Sequence, residues 1–247
     1  MKHNILRLKK IESTNDYARK LIELYGEKPE INQSVVFADE QTAGRGMAGN
    51  KWISEAGKNL TFSIILSPAD YLPVQEFFML SKLTSVAVLK YLERKKLKPK
   101  IKWPNDIIVG DRKISGILIE NLVRGNKLRY SIIGVGININ QTDFPQEIKA
   151  TSLKLERDSD FDLNKELARF LVIFFDLLKS LKKGKFQDID KLYLKNLYKI
   201  NQLTQFRSGG HIFEATIKGV DKYGRLILED YTKERQIFDP KQIEYIF

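Results

Sequence analysis

The sequence contains no cysteine, which excludes disulfide bonds, thiolate metal sites and any covalent intermediate on a cysteine. Histidine is nearly as scarce, since His3 and His211 are the only two, and a metal site built from imidazoles is not expected. The longest uninterrupted apolar run covers six residues, 170–175, whereas a membrane-spanning helix needs about 20. The first ten residues lack the apolar stretch of a secretory signal. We therefore expect a cytoplasmic protein with no membrane partner.

Negative charge is in the minority, with 31 acidic against 42 basic residues and a formal net charge of +11. The basic residues are mostly lysine, 30 against 12 arginines, and they cluster only over 94–102. Proteins that read phosphates and base edges rely on arginine forks, so a solvated lysine-rich face is the favoured interpretation. A docking face for an acidic partner is the alternative, through electrostatic steering. We do not expect a nucleic-acid partner.

The chain has 247 residues, of which 43% are hydrophobic. This length and composition suit one large and one small soluble domain. Helical patterns occur at 15–25, at 73–95 as the longest central helix, at 163–181 and at 188–196. Strand patterns occur at 34–38, 60–66, 107–109, 113–120 and 128–140. The connections at 110–112 and 124–126 are typical of hairpins, so the first part of the chain is predicted to be a basic α/β domain.

The pattern changes after Tyr198. Short alternating segments at 212–217, 225–228 and 235–238, separated by turns, predict strands. This part carries eight basic and seven acidic residues and is nearly neutral. We predict a small all-β barrel over 199–247 after a larger domain over 1–198, and a barrel of this size is expected to lean on its neighbour.

Residues 44–49, GRGMAG, match the G-x-G-x-x-G pattern of dinucleotide-binding loops. That fingerprint needs a helix to begin on the glycines, and residues 50–57 have no helical pattern. What remains is a flexible loop between two strands, with Arg45 as a buried-type cation and Trp52 as a closing aromatic residue. Its backbone amides could wrap an anion, and a mobile surface turn is the alternative.

The segment KWPND at 102–106 is unusual for a connection between strands. Pro104 removes a backbone donor and favours extended geometry at Trp103. A fixed turn is therefore expected to present Asn105 and Asp106.

Lys113 begins a largely apolar strand. Period-two alternation predicts that it shares a face with Ser115 and Ile117, opposite Gly116. A lysine and a glycine in such a strand indicate a charge aimed into a cleft with backbone open to a ligand. A lysine that protects an edge strand from aggregation is the alternative.

Together these segments resemble the biotin–protein ligase family (biotin–[acetyl-CoA-carboxylase] ligase). The matching segments occur in the family's order: STN at 13–15, QTAGRG at 41–46 through Trp52, KWPND at 102–106, KISGIL at 113–118 and GVGIN at 134–138. The resemblance implies an α+β fold, a mixed β-sheet flanked by helices of the class II synthetase-like kind, with a small C-terminal SH3-like β-barrel. It also implies the short form without an N-terminal DNA-binding domain, because the motifs begin at Ser13.

The resemblance implies two half-reactions with ATP and biotin as substrates and Mg²⁺ as the metal. The biotin carboxylate attacks the α-phosphate of ATP to give biotinyl-5′-adenylate and pyrophosphate. A lysine of an acceptor domain, a biotin carboxyl carrier protein or carboxylase subunit, then attacks the anhydride. Both reactants of the first step are anionic, so cations are needed where charge builds up. Two copies could form a homodimer by pairing along the strand at 128–140.

By the same resemblance, Lys113 and Arg45 would be the catalytic cations. The biotin-binding residues would be Ser13, Thr14, Asn15, Gln41, Gly44, Arg45, Gly46, Lys113 and Gly116. The ATP-binding residues would be Trp52, Lys102, Asn105, Lys113 and Asn138. Asp106 would help to hold Mg²⁺, with turn capping as the alternative. Helix capping is the alternative for Ser13 and Thr14.

Two departures from the family pattern lie in the glycine loop, where many members carry arginine at the positions of Met47 and Asn50. Each missing charged hydrogen bond weakens the hold on the adenylate by about 1–3 kcal/mol unless Lys51 replaces one. We therefore expect an active ligase that leaks adenylate. Two rivals remain: a lipoate–protein ligase of the same fold, and a degenerate binder of biotin or adenylate without turnover.

Overall fold

The computed structural model describes residues 4–26 and 28–246, so His3 lies outside the described residues. The helices are α1 (Thr14–Tyr25), α2 (Met79–Arg94), α3 (Leu153–Arg157), α4 (Leu163–Lys182) and α5 (Phe186–Lys195). The strands of a first sheet are β1 (Ile5–Ile11), β2 (Val35–Gln41), β3 (Leu60–Leu66), β4 (Pro99–Lys102), β5 (Asp106–Val109), β6 (Arg112–Arg124) and β7 (Lys127–Ile137). A second sheet contains β8 (Leu203–Ser208), β9 (His211–Val220), β10 (Leu226–Glu229), β11 (Arg235–Phe238) and β12 (Glu244–Tyr245).

The first sheet has seven strands in the order β1-β2-β3-β7-β6-β5-β4. Its first pair, β1 and β2, is parallel, and the other neighbours are antiparallel. This confirms the predicted mixed sheet flanked by helices. Because β7 is hydrogen-bonded to β3 and β6 over 131–137, it offers no free edge there. The expected pairing of two copies along this strand is therefore wrong for that range.

Helices cover the two faces of this sheet unequally. α1 packs on one face over a small cluster that includes Ile65 and Ile132. α2 and α4 pack on the other face over the main core, where Phe62 contacts Phe170 with 5.2 Å between ring centroids. α1 covers only part of its face of the sheet. The candidate site lies on the part of that face that α1 leaves uncovered.

The helix predicted over 73–95 is shorter than expected. A 3₁₀ turn at Val74–Glu76 follows Pro73, and α2 begins only at Met79. Proline fixes its own backbone angle and favours the first turn of a helix, but it does not decide whether that turn continues as α-helix. α2 is also not the longest helix, since it has 16 residues and α4 has 20.

The predicted all-β region is confirmed as a five-stranded antiparallel sheet in the order β11-β10-β9-β8-β12. Its side chains Phe206, Ile217 and Leu228 belong to the same buried cluster as those of α2 and α4. The small sheet thus packs on the rest of the chain, as its size leads one to expect. The boundary between 198 and 199 stays a prediction.

The helices within 4–26 and 28–246 are all too short or too polar to cross a lipid bilayer.

The predicted strand at 60–66 coincides with β3, and the predicted helices at 163–181 and 188–196 correspond to α4 and α5 within two residues.

Candidate active site

Three rows of residues across β3, β7 and β6 explain why a cavity lies on the α1 face. Read from β3 to β6, the rows are Ile65 with Ile132 and Glu120, Ser63 with Gly134 and Leu118, and Thr61 with Gly136 and Gly116. The first row is bulky and lies under α1, whereas the next two contain three glycines and two small hydroxyl side chains. The sheet is therefore nearly bare next to the N-terminus of α1, and backbone forms the floor of a cavity.

The polar end of the cavity is the N-terminus of α1. Ser13, Thr14 and Asn15 are all buried, and Ser13 caps the helix by accepting a hydrogen bond from the backbone N–H of Asp16. The backbone N–H of Thr14 donates to Gln41 Oε1 at 2.7 Å. Capping and a binding role are compatible here, because the cap uses only the Ser13 side chain.

Asn15 is fixed over the floor by partners on two strands. Its Oδ1 accepts from the Ser63 hydroxyl at 2.6 Å, and its Nδ2 donates to Glu120 Oε2 at 2.8 Å and to the Leu118 carbonyl at 3.3 Å. The Ser63 Oγ also lies 2.7 Å from Thr14 Oγ1. Because each polar group orients the next, this end of the cavity is preorganised.

Trp52 forms a wall of the cavity. Its indole ring lies against the floor so closely that a Cβ on Gly136 would overlap it, and a Cβ on Gly116 would be 3.2 Å from its Cζ3. The backbone N–H of Trp52 donates to the Gly44 carbonyl, which closes the glycine loop. The indole Nε1 is buried and has no hydrogen-bond partner in the described part of the chain. No α-helix begins on the loop glycines, which confirms that the dinucleotide-binding interpretation fails.

Arg45 is not buried, contrary to the expectation from sequence. Its side chain is 41% exposed, and its Nη2 lies 2.7 Å from Asp16 Oδ1 and 2.8 Å from Glu120 Oε2. Glu120 also pairs with Arg19 at 3.2 Å. The two carboxylates, one on α1 and one on β6, hold the guanidinium at the rim of the cavity. Arg45 thereby fastens the glycine loop over the polar end.

Lys113 lies on the same side of β6 as Gly116, so the predicted alternation is wrong at this position. A Cβ on Gly116 would be 3.3 Å from the Lys113 Nζ. The register with β5 shifts between Ile107 and Ile108, because Ile107 pairs with Ser115 while Ile108 pairs with Lys113. Such a β-bulge adds one residue to a strand and reverses the alternation beyond it.

The backbone of Lys113 is held firmly. Its N–H donates to the Lys149 carbonyl at 2.8 Å, and its carbonyl accepts from the Thr151 N–H at 2.9 Å. Its ammonium lies 2.6 Å from Asp106 Oδ1. The cation is thus directed along the floor by both its backbone and its counter-ion.

The turn at 103–105 presents Asn105 and Asp106 as predicted. Asn105 Nδ2 donates to the Ile117 carbonyl at 2.8 Å, which fastens the turn to β6. The indole of Trp103 is buried, and its Nε1 donates at 2.8 Å to the carbonyl of Gly224, in the turn between β9 and β10. Burial lowers the pKa of Lys102, an effect that Asp106 opposes and that Lys113 and Lys149 reinforce.

The N-terminus of α1, the glycine loop, the turn at 103–105, β6 and β7 all contribute residues to a single cavity of about 720 Å³. Among the described residues, its basic side chains are Arg45, Lys51, Lys102, Lys113 and Lys241, and its acidic ones are Asp106 and Glu244. Excess positive charge at one end and neutral polar groups at the other suit an elongated ligand with an anionic end.

Two predicted residues do not reach the cavity surface. Asn138 is buried, its backbone N–H donates to the Ile114 carbonyl of β6, and its Nδ2 donates to the Thr151 carbonyl at 2.9 Å. Its Oδ1 has no partner among residues 4–26 and 28–246. Gly44 lies behind Trp52, on the other side of the loop. The roles predicted for both remain predictions.

Comparison with known proteins places the chain in a family. The family model described as Biotin/lipoate A/B protein ligase family matches residues 8–138, which is more than half of the chain. The chain belongs to this family. The five segments that carried the resemblance all lie within the matched range, and each of them contributes residues to the cavity.

Relatives of this family member include the bifunctional ligase/repressor BirA of Bacillus subtilis, 33% identical over 210 residues, which cover 83% of this chain and 64% of that protein. The biotin–[acetyl-CoA-carboxylase] ligase of Paracoccus denitrificans is 26% identical over 228 residues, 90% of this chain and 92% of its own. The biotin protein ligase from Aquifex aeolicus in complex with biotin and ATP has a TM-score of 0.78, 25% identity and 98% coverage of both chains. The chain spans less than two thirds of the length of the Bacillus subtilis protein.

Three features that shape the cavity were not identified in the sequence analysis. Ser63 could have been noticed, because it is one of two polar residues in the otherwise apolar strand LTFSIIL. Glu120 lies far along the chain from Arg45 and Asn15, and only the register of β6 brings it to them. The contribution of residues 240–245 depends on how the second sheet packs, for which the sequence contains no local signal.

Proposed function

We propose that this chain is an ATP-dependent biotin–protein ligase, which activates biotin as biotinyl-5′-AMP and transfers it to a lysine of a biotin acceptor domain. The observation that carries the proposal is one cavity that joins the buried polar end at Ser13, Thr14 and Asn15 to the cation of Lys113. The similarity to the Aquifex aeolicus ligase in complex with biotin and ATP supports it.

The order of groups along the cavity matches the order of groups in biotin. The ureido ring carries two N–H donors and a carbonyl acceptor, which suit the hydroxyl and amide groups of Ser13, Thr14, Asn15 and Gln41. The ring system and the alkyl chain suit the bare floor and the indole of Trp52. The carboxylate would then lie near Lys113, with Gly116 leaving space beside it.

In the first half-reaction a biotin carboxylate oxygen forms a bond to the α-phosphorus of ATP, and the bond to the β-phosphate oxygen breaks. The electron pair leaves with pyrophosphate, so no protein nucleophile is required. Lys113 would lie between the two anionic reactants and reduce their repulsion, which is the main electrostatic contribution in phosphoryl-transfer chemistry. Lys102 and Asn105 would bind the nucleotide side. Asn138 would support that side from beneath the cavity surface, since it is buried and bonded to the backbone of Ile114 and Thr151.

In the second half-reaction the uncharged amine of an acceptor lysine attacks the biotinyl carbonyl and AMP leaves. The mixed anhydride must survive until the acceptor arrives. The glycine loop would cover it, with Gly46 at the cavity surface and Gly44 allowing close approach of the Trp52 backbone. Arg45 would fasten the loop through Asp16 and Glu120.

Mg²⁺ is the metal proposed for this chemistry, and Asp106 is the residue of the cavity proposed to bind it. No group of three or more histidine, aspartate or glutamate side chains suitable for a metal occurs in the described part of the chain. Mg²⁺ commonly binds through one or two carboxylates together with substrate phosphates, so Asp106 is sufficient as a protein ligand. When bound, the ion would neutralise charge on the phosphates, and Asp106 would exchange part of its contact with Lys113.

The density of polar groups at the α1 end favours biotin over lipoate. A dithiolane ring has no hydrogen-bonding groups to match Ser13, Thr14 and Asn15. A site built for hydrogen bonds discriminates strongly against a ligand that leaves them unpaired.

The acceptor is proposed to be a biotin carboxyl carrier protein or the equivalent carboxylase subunit. The catalytic domain would comprise 1–198 and the second domain 199–247, with residues 240–245 contributing to the shared cavity. A homodimer stays part of the proposal, but it would have to use a surface other than the paired range of β7.

The test is intact-mass analysis of an apo acceptor domain incubated with the protein, ATP, Mg²⁺ and either biotin or lipoate. We expect a gain of one biotinyl group, abolished by Lys113→Ala and kept by Lys127→Ala, a matched exposed lysine outside the cavity. A gain with lipoate alone would identify the rival ligase. No gain with either acid, together with measurable biotin binding, would identify a binder without turnover.

A further inference from the structure

The wall of the cavity opposite α1 belongs to the second sheet. The residues that line it, together with Lys102, Trp103 and Asp106, are Pro240, Lys241, Ile243, Glu244 and Tyr245. The nucleotide side of the proposed site is therefore built from two sheets, whereas the biotin side is built from one.

Tyr245 and Lys102 meet at this junction. The Lys102 ammonium lies over the Tyr245 ring, 5.6 Å from its centroid, which is the geometry of a cation–π interaction. Burial raises the pKa of the Tyr245 hydroxyl, so the ring remains neutral. The Phe206 ring, 5.2 Å from that of Tyr245, supports it from within the second sheet.

The residues beside Lys102 are held from the same direction. The Trp103 indole donates to the Gly224 carbonyl at 2.8 Å, and both groups are buried. On the outer edge of β4, Ile101 accepts from the Tyr198 N–H at 2.7 Å and donates to the Asn196 carbonyl at 2.9 Å. Three successive residues, 101–103, thus depend on the second sheet or on the segment that leads into it.

We propose that Tyr245 is a positioning residue for ATP, because its ring holds the Lys102 ammonium toward the phosphates that leave as pyrophosphate. This inference rests on the proposed function and deepens it. The second sheet then acts on adenylation through Lys102, while it leaves biotin recognition and the transfer step unaffected.

The test compares Tyr245→Leu with Tyr245→Phe, which keeps the ring. For Tyr245→Leu we expect the KM for ATP to rise about 5- to 30-fold, with the KM for biotin and kcat changed less than about twofold. Transfer from preformed biotinyl-5′-AMP to the acceptor should be unchanged, since no pyrophosphate is present. Tyr245→Phe should restore the ATP KM of the unmodified protein.

Phe213→Leu is the control for loosened packing, because it removes a ring of the second sheet that packs on Phe206 and Phe238. It should leave the KM for ATP unchanged. An unaltered KM in Tyr245→Leu, a parallel rise in the KM for biotin, or an equal loss in the transfer from preformed adenylate would each overturn the inference. Failure of the unmodified protein to label the acceptor would contradict the proposed function instead, and ATP affinity measured by calorimetry on the same variants would then decide the inference alone.

Discussion

The Lys113 ammonium lies 2.6 Å from Asp106 Oδ1, which joins the bulged start of β6 to the end of the turn at 103–105. Lys113 is 33% exposed and Asp106 23%, and a pair this open to water adds little to the free energy of folding. Its importance is positional, because it directs the cation along the cavity floor. The same carboxylate is the one protein ligand proposed for Mg²⁺.

Asp106→Asn separates these two roles of the carboxylate. If Asp106 helps to hold Mg²⁺, the concentration of Mg²⁺ for half-maximal adenylation should rise by about tenfold or more. Pyrophosphate release measured over a series of Mg²⁺ concentrations would report this shift. Glu244→Gln, the other acidic residue of the cavity wall, is the matched control. A lower rate with unchanged Mg²⁺ dependence would leave Asp106 as the counter-ion of Lys113 only.

Met47→Arg should reduce the escape of the intermediate. The glycine loop carries one arginine, Arg45, and that guanidinium is engaged by Asp16 and Glu120 at the rim. A second guanidinium in the loop would add a charged hydrogen bond to the adenylate and slow its release roughly 10- to 100-fold. Release of biotinyl-5′-AMP without acceptor, followed by chromatography, measures the rate. Met47→Gln controls for side-chain length, and tight retention by the unmodified chain would contradict the expectation of leakage.

Gly136→Ala should displace Trp52 from the floor, because the added Cβ would overlap the indole ring. Overpacking of this kind costs about 1–3 kcal/mol, and the shifted wall should also lower the affinity for biotin. Thermal unfolding and titration calorimetry report the two effects separately. The double variant Gly136→Ala/Trp52→Ala should regain much of the unfolding midpoint but not the affinity. Wild-type biotin affinity in the single variant would show that Trp52 is not part of the binding wall.

Glu166 should make the fold sensitive to acid. Burial by itself raises the pKa of Glu166, but hydrogen bonds from Lys95 and Tyr91, with the charges of Lys95 and Arg169, outweigh burial and hold the pKa below its ordinary value of 4.5. A lowered carboxyl pKa stabilises the folded state fully above the unfolded pKa. That contribution is lost as the pH falls below it toward the folded value.

Glu166→Gln should therefore flatten the fall of the unfolding midpoint between about pH 5 and pH 3. It should also destabilise the protein at pH 7 by about 3–5 kcal/mol, because Lys95, 2.5 Å from the carboxylate, loses its buried counter-ion. Thermal unfolding across this pH range is the measurement, with the exposed Glu23→Gln as the control. An unchanged slope in Glu166→Gln would mean that other carboxylates govern acid unfolding.

Much of the fold could be predicted from local pattern. β3 and the hairpins of β5, β6 and β7 consist of β-branched runs, and the two hairpin turns contain Gly110 and Gly125 with positive φ. α1 begins at a serine cap and was predicted to within a residue. Where a segment carries its own turn, cap or period, the sequence alone suffices.

The unpredicted parts depend on partners distant in sequence. β1, ILRLKKI, is largely exposed and becomes a strand through its parallel pairing with β2, while β4, PKIK, has low strand propensity and depends on β5 and on residues 196–198. The bulge that turns Lys113 toward Gly116 arises from the register of β5 with β6, so alternation within β6 could not reveal it. Arg45 was expected to be buried. Its position at the exposed rim is set by Asp16 on α1 and Glu120 on β6, and no local pattern in the loop shows that these carboxylates are its partners.

The floor between Asn15 and Lys113 is backbone at Gly134, Gly136 and Gly116, and backbone cannot change rotamer to follow a ligand. A wall of flexible side chains could adjust to acids of several sizes, whereas a floor of backbone keeps the distance between its two ends constant. An acid with a shorter chain would reach the hydrogen-bonding end or the ammonium, but not both together. The sheet itself would thus select acids by the length of their alkyl chain, before any phosphate of ATP is bound.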